Sequence, residues 1–322
     1  MLSRDELQRE ASSAGFQPES FERVLRLIEL LDALRSHPFL KPRIALKGGT
    51  ALNLFVFDVP RLSVDVDLNY IGAADRETML AERPRIDEAI QAVCGRLGIQ
   101  VKRVPSDHAG GKWRLSYQSA LGRPATLELD MNYMLRMPLW PVVTSMSRRV
   151  GSFQASNVPV VDVHELAAGK LAALLSRQAS RDIFDAHRLL KEIRFDRDRL
   201  RLAFVVYGGC SRKDWRSVRV SDVGIDAKDA EQKLLPLLRS DQIPAKKDVS
   251  AWSAKLVQEC RDGLSVVLPL TKTEVDFLSR LNDRGEIVAD LLTVDPRLQT
   301  MITAHPMLNW KAHNVREHRS TR

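Results

Sequence analysis

The 322-residue sequence is poor in cysteine: Cys94, Cys210 and Cys260 are its only three, widely spaced and odd in number. With no CxxC pair and no Cys/His cluster, neither a zinc site nor a disulfide framework is expected, and a reducing compartment fits. No apolar run approaches the roughly 20 residues that cross a bilayer. The opening Met1-Leu-Ser-Arg-Asp-Glu6 is charged at once, unlike a signal peptide. A cytoplasmic protein with no membrane partner is therefore expected. There is no internal repeat, no low-complexity tract and no GxxxxGK[ST] phosphate loop. His164-Glu165 is not a zincin motif, because position 168 is Ala.

What is present is ordinary in bulk and uneven in charge. A hydrophobic fraction of 44% and a charged fraction of 28% exclude disordered and fibrous classes. The formal net charge is +8. Such an excess suits an anionic partner such as RNA, DNA or a nucleotide, or else a merely basic surface. Arg148-Arg149, Lys246-Lys247 and the stretch from Lys311 to Arg322 are the basic clusters that can meet an RNA backbone or simply be solvated.

The chain divides by pattern near residue 160. Residues 1–160 read as a mixed α/β unit with N-terminal helices, and residues 161–322 as a helical lobe. Ser20 to Leu34 has apolar residues at helical spacing, with Ser20 as N-cap. Ile44-Ala-Leu-Lys47 is a short strand entering a turn at Gly48-Gly49, after which Thr50 caps a short helix running to Phe55. Ser63-Val-Asp-Val-Asp-Leu68 alternates at period two, as a half-buried strand does. Glu77 to Leu97 reads as helix, and Trp113 to Gln118 and Ala125 to Met131 as strands around the turn Leu121-Gly-Arg-Pro124. Beyond His164, segments around Leu166, Ile183, Leu234, Val257, Val275, Leu291 and Leu298 are helix-like. The expected fold class is α+β, with a mixed sheet flanked by helices and a helical C-terminal lobe.

Residues two apart in a strand share a face, with α-carbons about 6.5–7 Å apart. Asp65 and Asp67 therefore stand side by side while Val64, Val66 and Leu68 face the core. Two carboxylates so close repel unless a cation joins them, and magnesium takes carboxylate oxygens together with substrate phosphates. A solvated strand face that happens to carry two aspartates is the plain alternative. Gly48-Gly49-Thr50 can bring backbone N–H groups to a phosphate because no Cβ intervenes, or it can be an ordinary strand–helix turn. Leu127-Glu-Leu-Asp-Met-Asn132 sets Glu128 and Asp130 on one strand face, which can supply a third carboxylate or lie at a solvated edge.

In the second half, Leu166, Lys170 and Leu174 are successive i, i+4 neighbours, so Lys170 lies in an apolar stripe and must snorkel outward or meet an anion. Asp182 and Asp185 of Arg181-Asp-Ile-Phe-Asp-Ala-His-Arg-Leu-Leu190 fall toward the inward face of the next helix. Alternatively Asp182 is an N-cap and Asp185 a first-turn acid.

Taken together, Gly48-Gly-Thr-Ala-Leu-Asn-Leu-Phe55 followed by Arg61-Leu-Ser-Val-Asp-Val-Asp-Leu68 resembles the first motif of the nucleotidyltransferase superfamily. With the helical Lys170 and Arg181-Asp182-x-Phe184-Asp185, it is similar more narrowly to the AbiEii/AbiGii toxins, including MenT-like toxins of type IV toxin–antitoxin systems. The resemblance implies magnesium on Asp65 and Asp67, and triphosphate on Gly48, Gly49, Thr50, Ser63 and Lys170. Asp130 becomes general base or further metal ligand, and Asp182 and Asp185 take acid–base or structural work. Thr50 departs from the more usual Ser but keeps the hydroxyl. A cleft between the two lobes is where NTP and magnesium are then expected. The resemblance further implies transfer from NTP to an RNA acceptor, the 3′ end of tRNA, blocking translation, and neutralisation by a cognate antitoxin. Two alternatives stay open: nucleotidylation of a protein side chain, and a non-catalytic module that binds nucleotide or RNA.

Overall fold

A computed structural model describes residues 2–105 and 109–320, so the last two residues of the basic tail lie outside the described residues. The chain forms two compact units. The first comprises residues 1–136, 141–161 and 234–243, and the second 137–140, 162–233 and 244–322.

The first unit holds α1 (Arg4–Ala14), α2 (Pro18–Ser36), β1 (Ile44–Lys47), α3 (Gly48–Ala51), β2 (Asp65–Tyr70), α4 (Arg76–Arg96), β3 (Gln100–Arg103), β4 (Gly110–Gln118), β5 (Pro124–Asn132), β6 (Val143–Ser145) and β7 (Val158–Val160). The strands make one mixed sheet in the order β3-β4-β5-β2-β1-β7-β6. The pairs β2–β5 and β1–β7 are parallel and the rest antiparallel. Alternation decides which face is core. Val66 and Leu68 of β2, Trp113, Leu115 and Tyr117 of β4, and Leu127, Leu129 and Met131 of β5 are buried. Each such side chain contributes about 1.5–3 kcal/mol by leaving water. Helix α2, with Phe21, Val24, Leu27, Ile28, Leu31 and Leu34 buried, packs on β5, β7 and α4. The residues between the buried ones are left on the other face, and that face carries the carboxylates.

The expected α+β class holds, with local corrections. Helix α2 begins at Pro18, not Ser20, and its N-cap Gln17 makes no side-chain cap bond. Proline fits the first helical position because it lacks only an N–H that has no partner there. The turn after β1 is helical from Gly48, so Thr50 is inside it and caps nothing. A π-helical turn over Leu52–Val56 follows. Strand β2 starts at Asp65 and runs on through Tyr70, two residues later than its alternation suggests.

Leu234 is not part of a helical lobe; its segment joins the first unit. Leu62 N–H donates to Leu237 C=O at 2.8 Å and Arg239 N–H to Pro60 C=O at 3.0 Å. Arg239 also reaches Asp58 C=O at 2.8 Å, so residues 234–243 tie down the loop that delivers Asp65.

The second unit holds α5 (Val163–Arg177), α6 (Ser180–Glu192), α7 (Arg197–Gly209), the short α8 (Ala227–Asp229), α9 (Val249–Gly263), α10 (Lys272–Ser279), α11 (Pro296–Ala304) and α12 (Pro306–Ser320). Leu291 lies in a 3-10 turn rather than a full helix. Helix α5 packs on α6 and α7, and α6 on α9. Asp162 caps α5 through His164 N–H. Among the described residues no helix is long and apolar enough to cross a membrane.

Within this unit Glu165 is buried, accepting from Trp140 N–H at 3.2 Å and from the Tyr207 hydroxyl at 3.1 Å. Burial pushes its carboxyl up to about 7, against an ordinary 4.5. The unfolded chain gives up this proton first, so Glu165 supports the fold fully below its unfolded value and progressively less as pH rises through its folded one. Glu165→Gln is expected to remove roughly 3 kcal/mol of pH dependence across that window. Urea unfolding at stepped pH checks this: the wild type should lose stability relative to the variant as pH rises.

Candidate active site

Asp65 and Asp67 sit two apart on β2, both half-buried, with Val66 buried between them. In the parallel register with β5, Asp65 lies opposite Glu128 and Asp67 opposite Asp130. Neighbouring strands are about 4.8 Å apart, so four carboxylates share one small patch of sheet. Cations border it in register: Lys47 of β1 is opposite Asp67, and Lys112 of β4 is opposite Asp130. Lys112 Nζ binds Glu128 Oε2 at 2.6 Å. That hydrogen bond, with the fields of Glu128, Asp65 and Asp130, raises the lysine above its ordinary value. Asp67 and Asp130 have no hydrogen-bond or ion-pair partner among the described residues.

The glycine turn is shaped by the aspartate rather than placed near it by chance. Gly48 has φ +72°, and a Cβ built on it would stand 2.1 Å from Asp67 Oδ2 and 2.9 Å from its Cγ. The carboxylate therefore lies against the glycine backbone, where any side chain would expel it. Thr50 is fully buried and its hydroxyl donates to Asp65 C=O at 2.5 Å. Asn53 Nδ2 donates to Gly49 C=O at 2.9 Å. Ser63 is buried just before β2. In this structure Thr50 thus fastens the turn to the aspartate strand.

Among the described residues no group of three or more His, Cys, Asp or Glu is placed to hold a metal ion. The pair Asp65/Asp67 is instead a two-carboxylate, all-oxygen donor set, with Asp67 lodged where Gly48 leaves room. That set fits magnesium, which commonly takes one or two carboxylates and completes its shell with water and substrate phosphate.

The second unit gathers Lys170, Asp182 and Asp185. Lys170 Nζ lies 2.7 Å from Asp182 Oδ1 and 2.9 Å from Asp185 Oδ2. Arg177 Nε meets Asp182 Oδ2 at 2.6 Å and its Nη2 meets Oδ1 at 3.2 Å. Lys170, Asp182 and Asp185 are buried, whereas Arg177 is largely exposed. The anion that Lys170 needs is supplied by the protein, and α6 starts at Ser180, so Asp182 is not an N-cap. Burial alone would raise Asp182; the Lys170 charge and the Arg177 hydrogen bond outweigh it and hold the carboxyl below the ordinary aspartate range.

The structure thus brings Gly48, Gly49, Thr50, Asp65, Asp67 and Asp130 together in one unit, and Lys170, Asp182 and Asp185 in the other. Lys47, Lys112 and Arg177 are neighbours that the sequence reading missed. Lys112 and Arg114 alternate at period two, but β4 begins at Gly110, before the first apolar residue that marks it.

A mixed sheet with paired strand carboxylates against a glycine turn is the arrangement of a nucleotidyltransferase. The chain belongs to the nucleotidyl transferase AbiEii toxin family of type IV toxin–antitoxin systems, whose family model matches residues 29–269. No curated protein matches the sequence. Among solved structures it is similar to MenT4, nucleotidyltransferase toxin Rv2826c from Mycobacterium tuberculosis H37Rv, at 18% identity over 99% of both chains with a TM-score of 0.57. At that identity the likeness establishes the fold.

Two substitutions probe these contacts. Gly48→Ala must displace the Asp67 carboxylate and strain a left-handed turn, and is expected to cost about 1–3 kcal/mol with a large loss of any activity. A variant with wild-type turnover and melting temperature would contradict that packing. Lys170→Met leaves two buried carboxylates facing each other, an expected loss of about 3–5 kcal/mol. Lys170→Met with Asp185→Leu should recover much of it in urea titrations.

Proposed function

We propose that this protein transfers a nucleotide from an NTP to the 3′ end of tRNA in the cytoplasm, thereby blocking translation, and that a cognate antitoxin restrains it. The observation that carries this reading is the Asp65/Asp67 pair seated on the Gly48 turn, with Asp130 in register beside it, in a chain of a nucleotidyltransferase family. The net charge of +8 supports a polyanionic acceptor.

In this reading Asp65 and Asp67 hold magnesium, which would neutralise charge on the triphosphate and on the leaving oxygen. Asp130 takes the proton of the acceptor hydroxyl. The hydroxyl oxygen bonds to the α-phosphorus, the bond from that phosphorus to the α–β bridging oxygen breaks, and pyrophosphate leaves. The backbone of Gly48 and Gly49 offers close approach to phosphate, with Thr50 and Ser63 beside it. In the second unit the family resemblance assigns Lys170, held by Asp182 and Asp185, to phosphate.

The test is incubation with each labelled NTP, purified tRNA and total protein, with magnesium or with EDTA. Label should enter tRNA, fall by at least about 100-fold in Asp65→Ala and Asp67→Ala, and vanish with EDTA. Label found on protein alone overturns the RNA acceptor. Undiminished transfer by Asp65→Ala overturns the catalytic assignment.

A further inference from the structure

The sheet face that carries the carboxylates does not end at β5. It continues over β4 to β3, the edge strand, and there it changes sign. Arg114 is in register with Glu128 on one side and with Arg103 on the other, so one row across the sheet reads Asp65, Glu128, Arg114, Arg103. Lys112, Arg114 and Arg103 are exposed, whereas Trp113, Leu115 and Tyr117 on the opposite face of β4 are buried. The carboxylate face is therefore open to solvent along β4 and β3.

Lys112 is engaged by Glu128. Arg114 and Arg103 have neither hydrogen-bond nor ion-pair partners among the described residues. Two like charges directly opposite on paired strands disfavour the sheet. Among the described residues neither guanidinium is paired with a carboxylate, so the row is not held together by ion pairs of its own. Guanidinium groups are the side chains best matched to phosphate, through planar paired donors and a fixed charge. No aromatic side chain stands on this face of β4 or β3, so the row is suited to phosphate rather than to stacked bases.

From these observations, and resting on the proposed transfer to RNA, we infer that Arg114 and Arg103 form the track for the acceptor strand. The phosphates immediately upstream of the reacting 3′ end lie on β4 and β3, and the terminal hydroxyl is delivered across β5 to Asp130. The contacts are to backbone, so the track recognises a single-stranded RNA end without reading its sequence. The nucleotide that donates is not touched by it.

The experiment compares wild type, Arg103→Ala/Arg114→Ala and Arg103→Glu/Arg114→Glu, using purified tRNA as acceptor and a saturating labelled NTP over a range of salt. Both changes are on exposed positions, and thermal melts check that the fold is kept. The expected result is a KM for tRNA raised about tenfold or more in the charge reversal and less in the alanine pair. The slope of log(1/KM) against log salt should flatten by about 1.4, from roughly 0.7 per lost single-strand phosphate contact. The KM for NTP should stay within twofold.

An unchanged KM for tRNA and an unchanged salt slope overturn the track while leaving transfer to RNA standing. An equal rise in the KM for NTP also overturns it, since the damage is then to the whole site. If the wild type labels only protein, the proposed function itself fails and the RNA track fails with it.

Discussion

The Asp67 carboxylate occupies the space that a side chain on residue 48 would fill, and the neighbouring structure follows from that contact. Only glycine leaves the room, and only glycine takes φ +72° at that turn without strain. The chain can then leave β1 and wind at once into α3, whose Thr50 hydroxyl grips the backbone carbonyl of Asp65. One turn therefore fixes both aspartates, the first through its main chain and the second through its side chain. The antiparallel register that puts Lys47 against Asp67 then sets a cation at the edge of the acidic patch.

Electrostatics separates the two groups of acids. In the second unit the carboxylates of Asp182 and Asp185 are sealed from water and matched by Lys170 and Arg177, so the cluster is formally neutral and closed. On the sheet, the acids are only half-buried, and Asp67 and Asp130 are left without a protein cation of their own. Like charges gathered on adjacent strands oppose folding. A patch that keeps such a cost while remaining accessible is suited to receiving charge from outside, as a cation or as a substrate proton.

What the sequence made legible follows from periodicity. The alternation in Ser63 to Leu68 identified β2 and the shared face of Asp65 and Asp67, because a two-residue period needs no knowledge of the partner strand. The i, i+4 stripe around Lys170 narrowed its ammonium to snorkelling outward or meeting an anion, the family motif pointed to Asp182 and Asp185, and the structure pairs it with both. Register was not legible. That Asp67 would lie beside Asp130 depends on β5 inserting parallel to β2, and strands as short as β3, β6 and β7 leave too few residues for a period. The assignment of residues 234–243 to the sheet unit was equally hidden, since Leu62 N–H to Leu237 C=O is a main-chain bond that no side chain announces. A hydroxyl after a glycine turn usually caps a helix, but here that of Thr50 is spent on a neighbouring strand.

The buried cluster around Lys170 is a poor device for stability alone. Burying ionic groups costs several kcal/mol each, and well-packed apolar side chains hold two helices together at least as well. Helix α5 nevertheless carries both Lys170 and the buried Glu165, each satisfied by hydrogen bonds rather than replaced by leucine. Fixing Lys170 from two sides removes the rotamer freedom that a free lysine would lose on meeting an anion. Arg177 binds the same Asp182 from the exposed side, so the outer rim of the cluster is a cation rather than an acid. The four groups thus form one neutral network linking α5 to α6, each carboxylate matched to a cation whose direction is already set.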